Sequence, residues 1–152
     1  MSSSTFIDYL SSPSGPLCGS IKIPGDKSIS HRAVIMGSIA NGITHINGLL
    51  KSADVVSTIN VFRDMGVRID ESSDEIIIHG VGLHGLEAPT NALNFGNSGT
   101  SVRLLTGLLS AQKFDTTLIG DESLSQRPMR RIIDPLVEMG ARFHCSDQHS
   151  LP

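Results

Sequence analysis

The chain has 152 residues, 39% of them hydrophobic and 18% charged, which is enough for one substantial core or two small ones. A net charge of -3, no basic run, one tyrosine, five phenylalanines and no tryptophan argue against both a duplex-binding face and a base-stacking platform. No apolar run approaches a membrane span, residues 1–16 lack the basic and apolar parts of a secretory signal, and Cys18 and Cys145 have no metal-ligand spacing. The expectation is a cytoplasmic protein with two free thiols, no nucleic-acid or membrane partner, and no histidine cluster suited to zinc.

Residues 1–14 read as a loose or lightly docked arm. Alternation over 19–23 suggests a strand, stopped by Pro24-Gly25. A helix is expected over about 30–40, burying Ile35, Met36 and Ile39 and closing at Asn41-Gly42. Residues 43–47 are strand-like and 48–52 a loop. Asp54 can cap a second helix whose apolar face is Val55, Ile59, Phe62 and Met65, ended by Gly66. A strand over 67–70 is paired in the reading with 75–79 across Ser72-Ser73-Asp74.

The glycine- and proline-bearing stretch 80–89 marks an internal boundary, after which the order recurs. Residues 93–95 and 116–119 read as strands flanking an apolar helix over 101–110, and 120–126 as a loop. A helix over about 128–139 should show Met129, Ile132, Ile133, Leu136 and Val137 on one face, with Pro128 in its first turn and Pro135 bending it. A last strand is expected at 141–145, before a polar tail. Phe62-Arg63-Asp64-Met65-Gly66-Val67 lies 74 residues before Leu136-Val137-Glu138-Met139-Gly140-Ala141. Strand, turn, helix, strand, loop, helix, strand is thus read twice, as a repeated unit.

Two turns concentrate polar and cationic groups. Gly25-Asp26-Lys27-Ser28-Ile29-Ser30-His31-Arg32 joins a short strand to a helix, and Gly96-Asn97-Ser98-Gly99-Thr100-Ser101-Val102-Arg103 repeats the arrangement. Backbone N–H groups at a helix start seat an anion such as phosphate. A cation there opposes the helix dipole, so Lys27 asks for an anionic partner. Arg32 and Arg103 follow a turn later, and Arg127 stands at a third helix start. The first turn is not an ATP-binding phosphate loop, because Asp26 breaks the required glycine–lysine adjacency. Ser28 and Ser30 can cap or donate to phosphate, and His31 reads as a hydrogen-bonded supporting or surface residue. Asp121 and Glu122 can touch a substrate hydroxyl without forming an acid–base pair. Arg63, Arg68, Arg130 and Arg131 read as solvated.

These two runs, followed by Gln126-Arg127-Pro128-Met129, resemble the amino-terminal third of the 5-enolpyruvylshikimate-3-phosphate synthase family. The likeness runs over about 17–142, with the motifs in family order and spacing. The resemblance implies an α/β protein of repeated βαβαβ(β) units, the two-lobed, inverse α/β barrel-like enolpyruvyl transferase fold. Residues 1–19 would be an arm, 20–85 a first βαβαββ unit and 86–152 a second, truncated βαβαβ unit, with the rest of the enzyme absent. It also implies transfer of the enolpyruvyl group from phosphoenolpyruvate to the 5-hydroxyl of shikimate 3-phosphate, with release of phosphate and no cofactor. A non-catalytic phosphometabolite-binding module remains an alternative. So does UDP-N-acetylglucosamine enolpyruvyl transferase, which carries alanine-lysine-asparagine in place of Asp26-Lys27-Ser28.

Carried over by position, Lys27 resembles the catalytic lysine that contacts phosphoenolpyruvate, and Ser28 and Arg32 resemble ligands of shikimate 3-phosphate. Asn97, Gly99 and Thr100 resemble the loop lining the phosphoenolpyruvate pocket. Arg127 resembles an arginine on its phosphate or carboxylate, and Arg103 the arginine that holds the loop. Many members sensitive to glyphosate have proline where this chain has Leu104, so the resemblance leaves inhibitor sensitivity open. The remaining catalytic groups would come from the absent portion, and the fragment alone is expected to be inactive.

Overall fold

The computed structural model describes residues 9–145 and 151. In chain order they form α1 (Lys27–Ile39), β1 (Asn41–Asn47), α2 (Ala53–Asp64), β2 (Arg68–Glu71), β3 (Glu75–Val81), β4 (Leu93–Asn94), α3 (Gly99–Leu109), β5 (Leu118–Ile119), α4 (Glu122–Ser125) and α5 (Arg130–Glu138). The α/β class is as expected. Two boundary strands of the βαβαβ(β) pattern are missing, however. Residues 19–23 and 141–145 have no ladder partner among the described residues. Alternation makes a strand only where an edge is offered, and Ile21 and Ile23 stand 84% and 70% exposed. Residues 1–8, part of the expected arm, and most of the polar tail lie outside the described residues.

β1, β3 and β2 form an antiparallel sheet in that order. The β2–β3 hairpin closes where it was expected, with Ser72 N–H donating to the Glu75 carbonyl at 2.9 Å. Its register sets Ile69 opposite Ile78. Ile69, Ile76 and Ile78 are buried against the helices. β4 and β5 pair in parallel with α3 as their crossover. Their ladder continues beyond the short strands: Phe95 N–H reaches the Ile119 carbonyl at 2.9 Å and Asp121 N–H reaches that of Gly96 at 2.8 Å. This extension draws Asp121 beside the Gly96 turn.

α2 is the central helix, touching α1, α3, β2 and β4. Its predicted apolar face, Val55, Ile59, Phe62 and Met65, is fully buried and joins one hydrophobic cluster with Leu93, Phe95, Val102, Leu105 and Ile133. It ends in a Schellman motif: Val67 N–H bonds the Phe62 carbonyl and Gly66 N–H that of Arg63, both at 3.0 Å. The corresponding bonds close α5, from Ala141 to Leu136 and Gly140 to Val137, each at 2.9 Å. Gly66 and Gly140 take φ of 85° and 99°, which is why glycine stands at both repeated positions.

Helix starts and faces differ from expectation. α1 begins at Lys27, because Asp26 caps it by accepting from Ile29 N–H at 2.7 Å. Asn41-Gly42 is not a C-cap; both residues pair with β3. α1 buries Ser30 and His31 and leaves Met36 62% exposed. α2 is capped by Ser52 rather than Asp54. Residues 122–125 of the expected loop are helical, capped by Asp121. α5 starts at Arg130, with Pro128 ahead of it and Pro135 inside it. Met129 and Ile133 are buried, whereas Val137 is exposed.

Candidate active site

The starts of α1, α2 and α3 and the segment before α5 meet at a cavity of about 360 Å³ lined by Lys27, Asp54, Asn97, Gly99, Thr100, Arg103 and Arg127. Each wall follows from local sequence. Asp26 consumes the Ile29 amide of α1, leaving those of Lys27 and Ser28 as first-turn donors without a partner among the described residues. Ser98 caps α3 by accepting from Ser101 N–H at 3.3 Å, which leaves Thr100 N–H at the cavity rim.

Asn97 is held from both sides. Its amide donates to both Asp121 oxygens, at 3.0 and 2.7 Å, and its oxygen accepts from Arg127 Nη2. Asp121 also caps α4 through Leu124 N–H at 2.8 Å. The Asn97 donors first, and the Leu124 amide next, hold the Asp121 carboxyl below the usual carboxylate range. Arg103 bonds the Gly99 carbonyl at 3.2 Å and the Pro128 carbonyl at 3.4 Å, tying the loop to the chain after Arg127. A methyl group on Gly99 would lie 2.7 Å from Arg103 Nη1 and 2.8 Å from Arg127 Nη1, so glycine is what lets the two guanidiniums converge.

Lys27 is half exposed and pairs with Asp54, an acidic side chain that the sequence suggested only as a cap. An aspartate two residues beyond a serine cap was the available signal, since the serine left its carboxylate unassigned. Among the lining residues, three cations thus face one carboxylate. Such an excess in a cleft favours an anion carrying more than one negative charge.

Five of the seven predicted site residues, Lys27, Asn97, Gly99, Thr100 and Arg127, line this cavity. Ser28 and Arg32 do not; both are exposed on α1. Arg63, Arg68 and Arg130 are exposed, as expected, and pair at the surface with Glu71, Asp70 and Asp134. Cys18 and Cys145 are free and exposed.

The model of EPSP synthase (3-phosphoshikimate 1-carboxyvinyltransferase) matches residues 11–152. The chain belongs to the EPSP synthase family. A 3-phosphoshikimate 1-carboxyvinyltransferase of Vesicomyosocius okutanii is 56% identical over 139 residues, covering 91% of this chain and 32% of that protein. One from Streptococcus pyogenes serotype M1 is 56% identical over 138 residues, with 91% and 32% covered. The EPSP synthase structure from Acinetobacter baumannii superposes with a TM-score of 0.85 at 53% identity, covering 88% of this chain and 31% of that one. The chain therefore spans about a third of the length of these relatives. Among the described residues no helix is long and apolar enough to cross a membrane, and no group of three or more His, Cys, Asp or Glu is placed to hold a metal.

Proposed function

We propose that this chain supplies the phosphoenolpyruvate-binding corner of an enzyme that transfers an enolpyruvyl group to the 5-hydroxyl of shikimate 3-phosphate, in the cytoplasm. The observation that carries the reading is the convergence of Lys27, Arg103 and Arg127 with the Asn97–Thr100 loop on one open cavity, in a chain of this family. Phosphoenolpyruvate presents a phosphate and a carboxylate, and the cavity offers guanidiniums, an ammonium and helix-start amides to both. Lys27 exchanges Asp54 for the substrate anion. Arg127, oriented by Asn97, and Arg103, anchored on Gly99 and Pro128, hold the other charges. Donors fixed before the substrate arrives also stabilise negative charge that builds up as the acceptor hydroxyl adds and phosphate departs. Ser28 and Arg32, solvent-facing on the first turns of α1, are assigned to shikimate 3-phosphate.

The repeat is supported by the two Schellman motifs 74 residues apart, and residues 20–85 and 86–152 are proposed as two copies of one unit. The chain holds about a third of the relatives' length, so enclosure of both substrates is assigned to the whole protein and the chain alone is expected not to turn over. The test replaces the matching stretch of the Acinetobacter baumannii synthase with residues 11–152 and measures phosphate release from both substrates. The graft should be active, and its Lys27→Ala form should lose about 100-fold or more with an unchanged melting temperature. A folded but inactive graft, an active Lys27→Ala graft, or turnover by the chain alone would contradict the proposal.

A further inference from the structure

Beneath the cavity lies a buried polar junction that the reading above leaves unused. His31 is fully buried, and its Nδ1 lies 2.8 Å from Thr58 Oγ1 and 3.1 Å from Ser101 Oγ. Thr58 and Ser101 hydroxyls touch at 2.5 Å, and Ser101 and Ser98 hydroxyls at 2.6 Å. The side chains come from three different helices: His31 from the second turn of α1, Thr58 from the middle of α2, and Ser98 and Ser101 from the beginning of α3.

Donor counting sets the direction of these bonds. Thr58 has one hydroxyl proton, and its bond to the Asp54 carbonyl at 3.1 Å consumes it, because a carbonyl only accepts. Thr58 must then accept from His31 and from Ser101. Ser101 spends its proton on Thr58 and accepts from Ser98, whose oxygen also takes the Ser101 amide. The assignment that also keeps the Thr58–Asp54 bond places a proton on His31 Nδ1. It leaves Nε2 as a bare acceptor, and that atom is buried without a partner among the described residues.

Each member stands next to a cavity residue. His31 is four residues after Lys27 on α1, and Thr58 four after Asp54 on α2, so each lies one turn below on the same face. Ser98 and Ser101 bracket Gly99 and Thr100. We propose that His31 is a positioning residue: through its Nδ1–H it locks Thr58 and Ser101 together and so fixes Lys27, Asp54 and the Gly99–Thr100 rim relative to one another. The functional consequence rests on the phosphoenolpyruvate reading above; the geometric one does not. A buried network with all its hydroxyls satisfied has one arrangement, and an apolar side chain at its centre leaves Thr58 and Ser101 to re-pair in several.

The test uses three variants of this chain. His31→Asn keeps an N–H near the Nδ1 position, His31→Phe fills the ring volume without one, and Thr58→Val removes the accepting hydroxyl isosterically. In the unliganded wild type, imidazole ¹⁵N spectra near neutral pH should show a protonated Nδ1 and a bare Nε2. The backbone amide signals of Lys27, Asp54, Gly99 and Thr100 should move in His31→Phe and Thr58→Val and stay near wild type in His31→Asn. Phosphoenolpyruvate affinity should fall about tenfold or more in the first two and return to within about threefold in the third. A ring protonated on Nε2, or amide signals unmoved in both His31→Phe and Thr58→Val, overturns the inference. If His31→Phe does not fold, Thr58→Val decides. If the wild type does not bind phosphoenolpyruvate, the proposed function fails, while the tautomer and the amide signals still decide the inference.

Discussion

Gly99→Ala should weaken anion binding without weakening the fold, a combination that follows from where its methyl group would point. The added Cβ would sit 2.7 Å from Arg103 Nη1 and 2.8 Å from Arg127 Nη1. Ordinary contact begins near ~3.5 Å, so each guanidinium must retreat by about 0.7–0.8 Å. Both are the free ends of long side chains, which makes the retreat cheap for stability. Gly99 is also absent from the positive-φ glycines and opens α3, where alanine is the better helix former by up to ~1 kcal/mol. Binding feels the move directly, because Arg103 gives up its alignment with the Gly99 carbonyl and Arg127 its aim across the cavity. A misdirected charge-assisted hydrogen bond costs about 1.5–3 kcal/mol, so phosphoenolpyruvate affinity should drop about 10- to 100-fold. Calorimetric titration of both proteins, with thermal melts of each, provides the assay. Affinity within about twofold of wild type, or a melting temperature lower by more than ~5 °C, would refute the reasoning.

Other predictions come from the same geometry. Asp54→Asn removes the carboxylate that competes with the ligand for a half-exposed Lys27, and inorganic phosphate should bind about two- to fivefold more tightly in a fluorescence or calorimetric titration. Gly25→Ala drives a methyl group to 2.2 Å from the Gly48 carbonyl oxygen and 3.0 Å from Leu50 N, both backbone atoms, and should cost about 1–3 kcal/mol in denaturant unfolding. Burial pushes the His31 imidazole below its ordinary pKa; Asp54 opposes this and Lys27 adds to it. The unfolded chain therefore takes up this proton first as pH falls. The His31 contribution is complete above about pH 6.5 and is lost as pH drops through the lower folded value, at no more than ~1.4 kcal/mol per pH unit. Urea melts across that window should show a shallower slope for His31→Asn than for wild type, and equal slopes would contradict the assignment.

Much of this was readable from residue order, for reasons that differ by element. The apolar spacing of Val55, Ile59, Phe62 and Met65 identified the face of α2 because that helix is central and its periodicity has one purpose. The Met-Gly pairs at 65–66 and 139–140 announced two helix ends, since positive φ is cheap only for glycine. α1 was harder to read because its inward face carries Ser30 and His31, which are buried through hydrogen bonds rather than through hydrophobicity. The strands expected at 19–23 and 141–145 failed because alternation says nothing about a neighbouring edge. Most of the cavity was legible as two glycine-rich turns and an Arg-Pro pair. Asp54 escaped because a carboxylate near a helix start has a plain explanation as a cap, and only the third dimension brings Lys27 to it.

In the function proposed, Lys27, the Asn97–Thr100 loop and Arg127 act together on one anionic substrate. Titrating phosphoenolpyruvate into the ¹⁵N-labelled chain while following backbone and arginine side-chain signals tests this most directly. Saturable shifts at Lys27, Gly99, Thr100 and Arg127, described by a single binding constant and abolished in Arg127→Ala, are the predicted result. Shifts scattered over the surface without saturation, or saturation that leaves these four residues unmoved, would contradict it.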